Sequence, residues 1–428
     1  MSEVFVKNMR VLKERWPMVA SRLEVTGLPE QMAVVEDGPE TTLSVHGVHL
    51  SSCYDREAEA SLQASLIQEN AGQCWVYGMG LGDLPQQLLQ RDRLGKLTVV
   101  LMNASIARLS LSCIDHRTWL KDDRVLLQLA EELVKLEVPF AANPPELQLA
   151  EDSAALLRDL IELELATPFI RSKQNAASQE SQHRLNETLE FVQSDGNVAS
   201  LFGTRAGEKI FVAGAGPTLK DHFSWLKGHT SLLIAVDTAV KPMLAADICP
   251  DVVVAIDPSH HAELDLFEGI DFERLQDVPL VYFPRVHPEV LQLWPGPRLT
   301  AYSNESGYRV LADKYPKGEL FSSGTVFHPA VDLAVQCGGQ EIILLGADFA
   351  YVDGLTHVEG SSHAKTKIQE NGTPWVLNSY GEKLATAQNL RGFLRDLESY
   401  IALWPHIKFI NAGRKGARIE GTTYLETA

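Results

Sequence analysis

Asp237, Asp257 and Asp348 each close an apolar run, and His357 follows the last of them in the segment "ADFAYVDGLTHVEGSSHAKTK" (347–367). Carboxylates and imidazole are the side chains that take and give protons near neutral pH, and His357 is a natural general base for an alcohol. The same segment carries Asp353, Glu359 and His363, a density of titratable groups expected of an acceptor region or a loop over a site. Two small-residue turns accompany these groups, Gly214-Ala215-Gly216-Pro217-Thr218 and Ser322-Ser323-Gly324-Thr325. In the first, Gly214 and Gly216 permit close backbone approach, and Pro217 suits the first position of a helix. The free N–H groups of that first turn are then expected to face a ligand anion, although an ordinary tight turn accounts for this motif alone equally well. No GK[ST] follows, so the turn is not a Walker loop. In the second, Ser322 or Ser323 is expected to cap a helix starting near 325, or to meet a phosphate or sugar.

Asp237 and Asp257 would repel a phosphate beside them. They are expected to accept hydrogen bonds from a ribose or base, to cap the following helices, or to hold a divalent metal, Mg²⁺ or Mn²⁺; no cofactor is certain, because no DxD metal-diphosphate motif occurs in this region. Cys53, Cys74, Cys113, Cys249 and Cys337 are scattered without metal-like spacing and read as core residues in a reducing compartment.

These groups need a frame that brings chain ends together. From Lys209 onward the runs "IFVAG", "SLLIAVD", "DVVVAID", "VPLVYF", "RLTAYS", "EIILLGAD" and "IKFINAG" alternate with helical segments. Near-continuous apolar strands separated by helices indicate an α/β fold with a parallel sheet covered on both faces, whose ligands bind at the carboxyl ends of the strands. Upstream, "QCWVYGMGLGDLPQQLLQRDRLGKLTVVLMN" (73–103) reads strand, Gly-rich turn, helix, strand, a smaller Rossmann-like unit. Its "GMGLGD" resembles an S-adenosylmethionine loop, but Asn103 stands where such a site wants an acid, so a structural role is expected. "TTLSVHGVHL" (41–50) alternates like a short antiparallel strand. The expected divisions are an N-terminal α/β domain (1–130), a helical connector (131–204) with a junction at 195–209, a core (205–365), and a helix and strand completing that core (366–428).

The chain has 428 residues, 45% of them hydrophobic, enough apolar content for real cores. Its formal charge of −18 argues against duplex nucleic acid or anionic lipid as a partner held by charge. The charged N-terminus "MSEVFVKNMRVLKERW" and the lack of a long apolar run suggest a cytoplasmic protein with no membrane span.

Taken together, "SSCYDREAEA", "WVYGMGLGDLP", "VAGAGPTLKD", "AVDTAVKPMLAADICPDVVVAIDP", "SSGTVFHPAVDLAVQCGGQEIILLGADFAYVDGLTH" and "INAGRKGARIEGT" resemble the motility accessory factor (Maf) flagellin glycosyltransferases with their MAF_flag10 (DUF115-type) domain. The resemblance runs from about residue 40 to 424. It implies a GT-A-like core similar to the bacterial sialyltransferases that use CMP-sialic acid. Their Gly-Asn-Gly-Pro-Ser-Leu loop matches Gly214 to Leu219, with Ala215 in place of Asn. Their Asn-Pro-Ser matches Asp257-Pro258-Ser259, and a second strand-end Asn falls at Asp237. Their Thr-Ser-Gly matches Ser322 to Gly324, and Gly-Ile-Asp-Phe matches Gly346 to Phe349.

The implied reaction moves a nonulosonic acid of pseudaminic or legionaminic type from its CMP-activated donor to Ser or Thr of flagellin. The nucleotide would be held by Gly214, Ala215, Gly216, Pro217, Thr218, Asp237, Asp257, Ser322, Ser323, Gly324 and Thr325, with Tyr302, Tyr308 and Tyr351 as further phosphate donors. His357, Asp257 and Asp348 would carry the chemistry. The same domain family includes pterin diphosphokinases, which use ATP and Mg²⁺, with Asp237 and Asp257 as ligands. A flagellin-binding adaptor without catalysis is the third reading.

Overall fold

The structure is a computed structural model that describes residues 2–36, 38–133, 135–256, 266–304, 306–365 and 374–425, with the side chains of 167–182 and 306 left out. The chain divides into two compact units, Met1–Ala166 and Thr167–Ala428.

The first unit opens with two helices, Glu3–Arg15 and Pro17–Val25. Ser2 caps the first by accepting the Phe5 N–H at 3.1 Å, and Phe5, Met9 and Leu12 recur on one buried face. Pro17 interrupts that periodicity and starts the second helix, where its missing N–H costs nothing. Strands β1 (Met32–Val35), β2 (Thr42–Val45) and β3 (Val48–His49) form a small antiparallel sheet; the segment 41–50, expected as one strand, is two, turned at His46-Gly47 where both residues have positive φ. The Rossmann-like sheet contains β4 (Gln73–Tyr77), β5 (Lys96–Leu101), β6 (Val125–Leu129) and β7 (Phe140–Ala142), all parallel, in the order β6-β5-β4-β7.

Strand β7 corrects the expectation of a helical stretch from 131. Three residues between Pro139 and Asn143 give no periodicity to read, yet they complete the sheet beside β4. Asn103 caps the helix Ala104–Cys113, accepting the Ser105 and Ile106 N–H groups at 3.0 and 3.2 Å.

Chain order reverses between β4 and β7, and the "GMGLGD" turn lies at that reversal. Its anion-binding position is filled from within. Glu146, 0% exposed, accepts the Gly80 N–H at 2.6 Å and also a bond from Met79. A Cβ on Gly78 would stand 2.9 Å from the Cβ of Glu146, so the turn is wrapped around this side chain. Burial pushes the Glu146 carboxyl up to about 7, against the pull of the two N–H donors.

The second unit begins within a 33-residue helix, Ala155–Glu187. Its strands are β8 (Gly196–Asn197), β9 (Lys209–Ala213), β10 (Leu232–Val236), β11 (Val252–Ala255), β12 (Leu280–Tyr282), β13 (Arg298–Tyr302), β14 (Gly318–Glu319), β15 (Glu341–Leu345), a hairpin of β16 (Trp375–Leu377) and β17 (Lys383–Ala385), then β18 (Lys408–Asn411) and β19 (Thr423–Tyr424). The main sheet runs β14-β13-β12-β11-β10-β9-β15-β18-β19, with β8 beside β13, and every pairing in it is parallel. All seven expected runs are strands of this sheet.

Residues 195–209 are not a junction between units. The Asp195 carboxylate takes two bonds from Arg298, at 2.9 and 3.0 Å, and one from the Tyr282 hydroxyl at 3.0 Å, fixing β8 to the sheet. Among the described residues, no helix is long and apolar enough to cross a membrane.

The Glu146 carboxyl has a folded pKa of about 7 against a reference of 4.5, so the folded state keeps its proton to higher pH than the unfolded chain. Its stabilising contribution is full below 4.5 and is lost as pH rises through about 7. Glu146→Gln should remove that dependence. In denaturant unfolding at pH 5 and pH 8, the stability of wild type relative to the variant should fall at the higher pH; an unchanged difference would show that this carboxyl does not titrate there.

Candidate functional site

From β9 the main sheet grows outward through β10 to β14. The chain then returns through the helix Phe327–Gln336 and places β15 on the other side of β9. Loops after β9 and β15 therefore diverge at their carboxyl ends, the position at which open α/β sheets bind ligands. A cavity of about 520 Å³ occupies it. Gly214, Ala215 and Gly216 line it from the β9 side, Asp237 from β10, Ser322, Gly324 and Thr325 from the segment before the helix, and Asp348 and His357 from beyond β15. Pro217, Thr218 and Ser323 are not on its wall, and Asp257 lies outside the described residues.

Free N–H groups were expected in the Gly214–Leu219 turn, and here the structure corrects the sequence. The Gly214 N–H donates to the Leu345 carbonyl at 2.8 Å, Gly216 to Gly346 at 2.9 Å, and Leu219 to Gly216 at 3.0 Å. Thr218 gives its N–H to Asp348 Oδ2 at 2.8 Å and its hydroxyl to Oδ1 at 2.6 Å. The turn continues as a six-residue 3₁₀ helix, Pro217–His222, rather than a long α-helix with an open first turn.

Asp348 has 2% exposure, and burial pushes its carboxyl up to about 6 while the Thr218 bonds oppose that rise. Three glycines make room for it. A Cβ on Gly216 would lie 2.5 Å from Oδ2, one on Gly413 3.2 Å from Oδ1, and one on Gly416 would collide with Oδ1. The glycines of "GAGP" and "INAGRKG" thus serve an internal carboxylate.

The Ser322–Thr325 segment is also held differently from the expectation. The helix begins at Phe327 after Val326, with no side-chain cap. Ser323 donates to Asp396 Oδ2 at 2.6 Å, and Thr325 Oγ1 accepts the Phe327 N–H at a long 3.4 Å. Asp332, inside the helix, takes the Phe321 N–H at 2.7 Å and the Tyr400 hydroxyl, which fixes the chain entering the segment. Asp237 is the first residue of the helix Asp237–Ala245, and its Oδ1 accepts the Thr238 N–H at 2.6 Å, so its helix-starting role is present at the cavity wall.

Of the three tyrosines, Tyr308 lines the cavity. Tyr302 is buried and donates to the Tyr315 carbonyl at 2.7 Å, and Tyr351 is not on the wall. Phe349, also on the wall, adopts φ 45°, a left-handed conformation costing a bulky residue roughly 1–3 kcal/mol. The Thr386 hydroxyl holds its carbonyl at 2.6 Å.

The loop bearing His357 is fastened to the glycine turn by the Val358 N–H, which donates to the Ala215 carbonyl at 2.8 Å. His357 Nδ1 lies 3.1 Å from the His363 carbonyl oxygen and 3.2 Å from Thr356 Oγ1. A carbonyl only accepts, so Nδ1 carries the proton and Nε2 keeps the lone pair. Burial, with His363 and then Lys365 nearby, holds the imidazole below its ordinary pKa of 6.5, so it is neutral at pH 7.

Sequence reasoning passed over Arg285, which lines the cavity just after β12 with its guanidinium 4.9 Å from the centre of the Tyr308 ring. The available signal was its place at the same sheet edge as the aspartates. Among the described residues, no group of three or more His, Cys, Asp or Glu side chains is placed to hold a metal ion.

Because a Cβ at Gly216 would lie 2.5 Å from both Asp348 Oδ2 and the Gly346 carbonyl, Gly216→Ala should destabilise the protein with no ligand present. The expected loss is about 1–3 kcal/mol in denaturant unfolding. Wild-type stability would mean that the turn relaxes away from the carboxylate.

Residues 183–354 match the family described as 6-hydroxymethylpterin diphosphokinase MptE-like. A search of curated proteins found no significant relative. Among solved structures, the chain is similar to the MAf glycosyltransferase from Magnetospirillum magneticum AMB-1, at 16% identity and a TM-score of 0.44, covering 99% of this chain and 74% of that one. The match to the MptE-like family spans β8 to β15 and most of the cavity wall.

Proposed function

We propose that the protein is a glycosyltransferase that moves a nonulosonic acid, of pseudaminic or legionaminic type, from its CMP-activated donor to Ser or Thr of flagellin. The observation that carries this reading is His357. It stands on the wall of the cavity at the strand-order reversal, with Nδ1 protonated by its bond to the His363 carbonyl and Nε2 open as a base. A hydroxyl of Ser or Thr is a weak nucleophile, and the anomeric centre of a CMP-nonulosonate ionises readily. The main demands on the protein are therefore to hold the nucleotide and to take the acceptor's proton. Asp237 and Asp257 would contact the ribose, base or sugar, and the Ser322–Thr325 segment would close around the nucleotide. Asp348 serves this arrangement by holding the turn under the donor.

The MptE-like match favours a second reading, diphosphoryl transfer from ATP to a pterin alcohol in the same cavity. A base for an alcohol suits both reactions, so the substrates discriminate. Purified protein should consume CMP-nonulosonate with flagellin as acceptor; turnover of ATP and 6-hydroxymethylpterin with Mg²⁺, and none of the CMP-sugar, would overturn the glycosyltransferase reading.

Within that reading, His357→Ala should slow single-turnover transfer by roughly 10²–10⁴ while leaving CMP affinity unchanged, because the base acts on the acceptor. The wild-type rate should fall as pH drops through a pKa below 6.5, since protonated His357 cannot accept the proton. A His357→Ala enzyme with the wild-type rate would remove the assignment.

A further inference from the structure

The Gly214–Leu219 turn gives its Gly214, Gly216, Thr218 and Leu219 N–H groups to protein acceptors. An anion entering the cavity meets Asp237 on the wall and finds these four N–H groups already taken. A guanidinium fork is the strongest partner for a phosphate. Among the described residues lining the cavity, Arg285 supplies the one guanidinium or ammonium group.

Arg285 leaves the sheet just after β12, is half-buried, and stacks over Tyr308 at 4.9 Å. Tyr308 is itself fixed, 2% exposed, with Phe283 and Tyr302 at ring distances of 6.2 and 5.7 Å. Contact through the face of a guanidinium orients its plane and keeps the N–H groups at its edge, where hydrogen bonds form. Gly307 completes the setting: a Cβ there would come within 3.2 Å of Arg285 Nη2, so the fork lies along bare backbone.

We infer that Arg285 is the phosphate-binding residue of this cavity, holding the phosphate of a nucleoside monophosphate group through its planar fork. The inference rests on the reading that a CMP-activated donor occupies the cavity, and it moves the anion site from the glycine turn to the end of β12. The tyrosine face and the bare backbone at Gly307 suit a planar guanidinium better than a lysine ammonium.

Calorimetry with CMP and with cytidine tests this on the full chain. Arg285→Ala should weaken CMP binding roughly 10- to 100-fold, the range for losing a charge-assisted hydrogen bond, and leave cytidine binding unchanged. Arg285→Lys should fall between the two, because it keeps charge without the fork. Arg285→Gln, which keeps the stem over Tyr308, replaces the alanine variant if that one does not fold. A variant without the guanidinium that binds CMP like wild type would overturn the inference while leaving the donor reading intact. Wild-type protein that binds ATP but not CMP would overturn the donor reading, and this inference with it.

Discussion

Asp348 sits in an almost fully enclosed position where a carboxylate can remain only if donors meet it, and the donors it takes are the N–H and hydroxyl of Thr218. That one exchange ties the loop after β15 to the loop after β9 across the reversal of strand order. Around it, Gly216, Gly413 and Gly416 have no side chain because the carboxylate occupies the space. The Asp348 carbonyl accepts the Ala417 N–H at 2.8 Å, which draws the segment after β18 to the same point. Three separate parts of the second unit are held at one buried acid.

The first unit repeats the device on a smaller sheet. Glu146 follows β7 as Asp348 follows β15, and each reaches over the reversal to the glycine-containing turn after the neighbouring strand, β4 or β9. Both carboxyls are raised by burial, to about 7 and about 6, because the N–H donors offset only part of the lost hydration. The two units diverge in what lies beyond the plug. In the first, the small space beside the turn is about 10 Å³, near the size of one water. In the second, the longer loops after β12, β14 and β15 stand back from the plug and leave about 520 Å³. A glycine-rich turn at a strand end is thus no measure of whether a ligand binds to it.

A fixed floor also places the acceptor side of the cavity. The Ala215 carbonyl takes the Val358 N–H, so the turn that Asp348 holds in turn holds the loop bearing His357. The His357 tautomer then follows from a backbone carbonyl six residues on, that of His363. Strain at Phe349 lies between these two anchors, in the stretch that must leave β15 sharply enough to return over the cavity.

Seven of the ten strands of the large sheet were legible because each is a short apolar run, a property of adjacent residues, and parallel strands buried on both faces write that pattern plainly. The polar residues ending those strands were legible for the same reason, which is why Gly214, Asp237, Asp348 and His357 could be named from spacing. Local pattern failed where an element is too short or is interrupted, as at Phe140–Ala142 and at the helices flanking Pro17. What tertiary structure alone decided is who meets whom. Thr218 and Asp348 are 130 residues apart, and Gly80 and Glu146 are 66 apart. A hydrogen bond depends on geometry within about 3 Å, and only the strand order brings those groups that close. The sequence therefore determined that two glycine-rich turns exist at strand ends; the fold decided that the protein's own carboxylates, Glu146 and Asp348, bond to them.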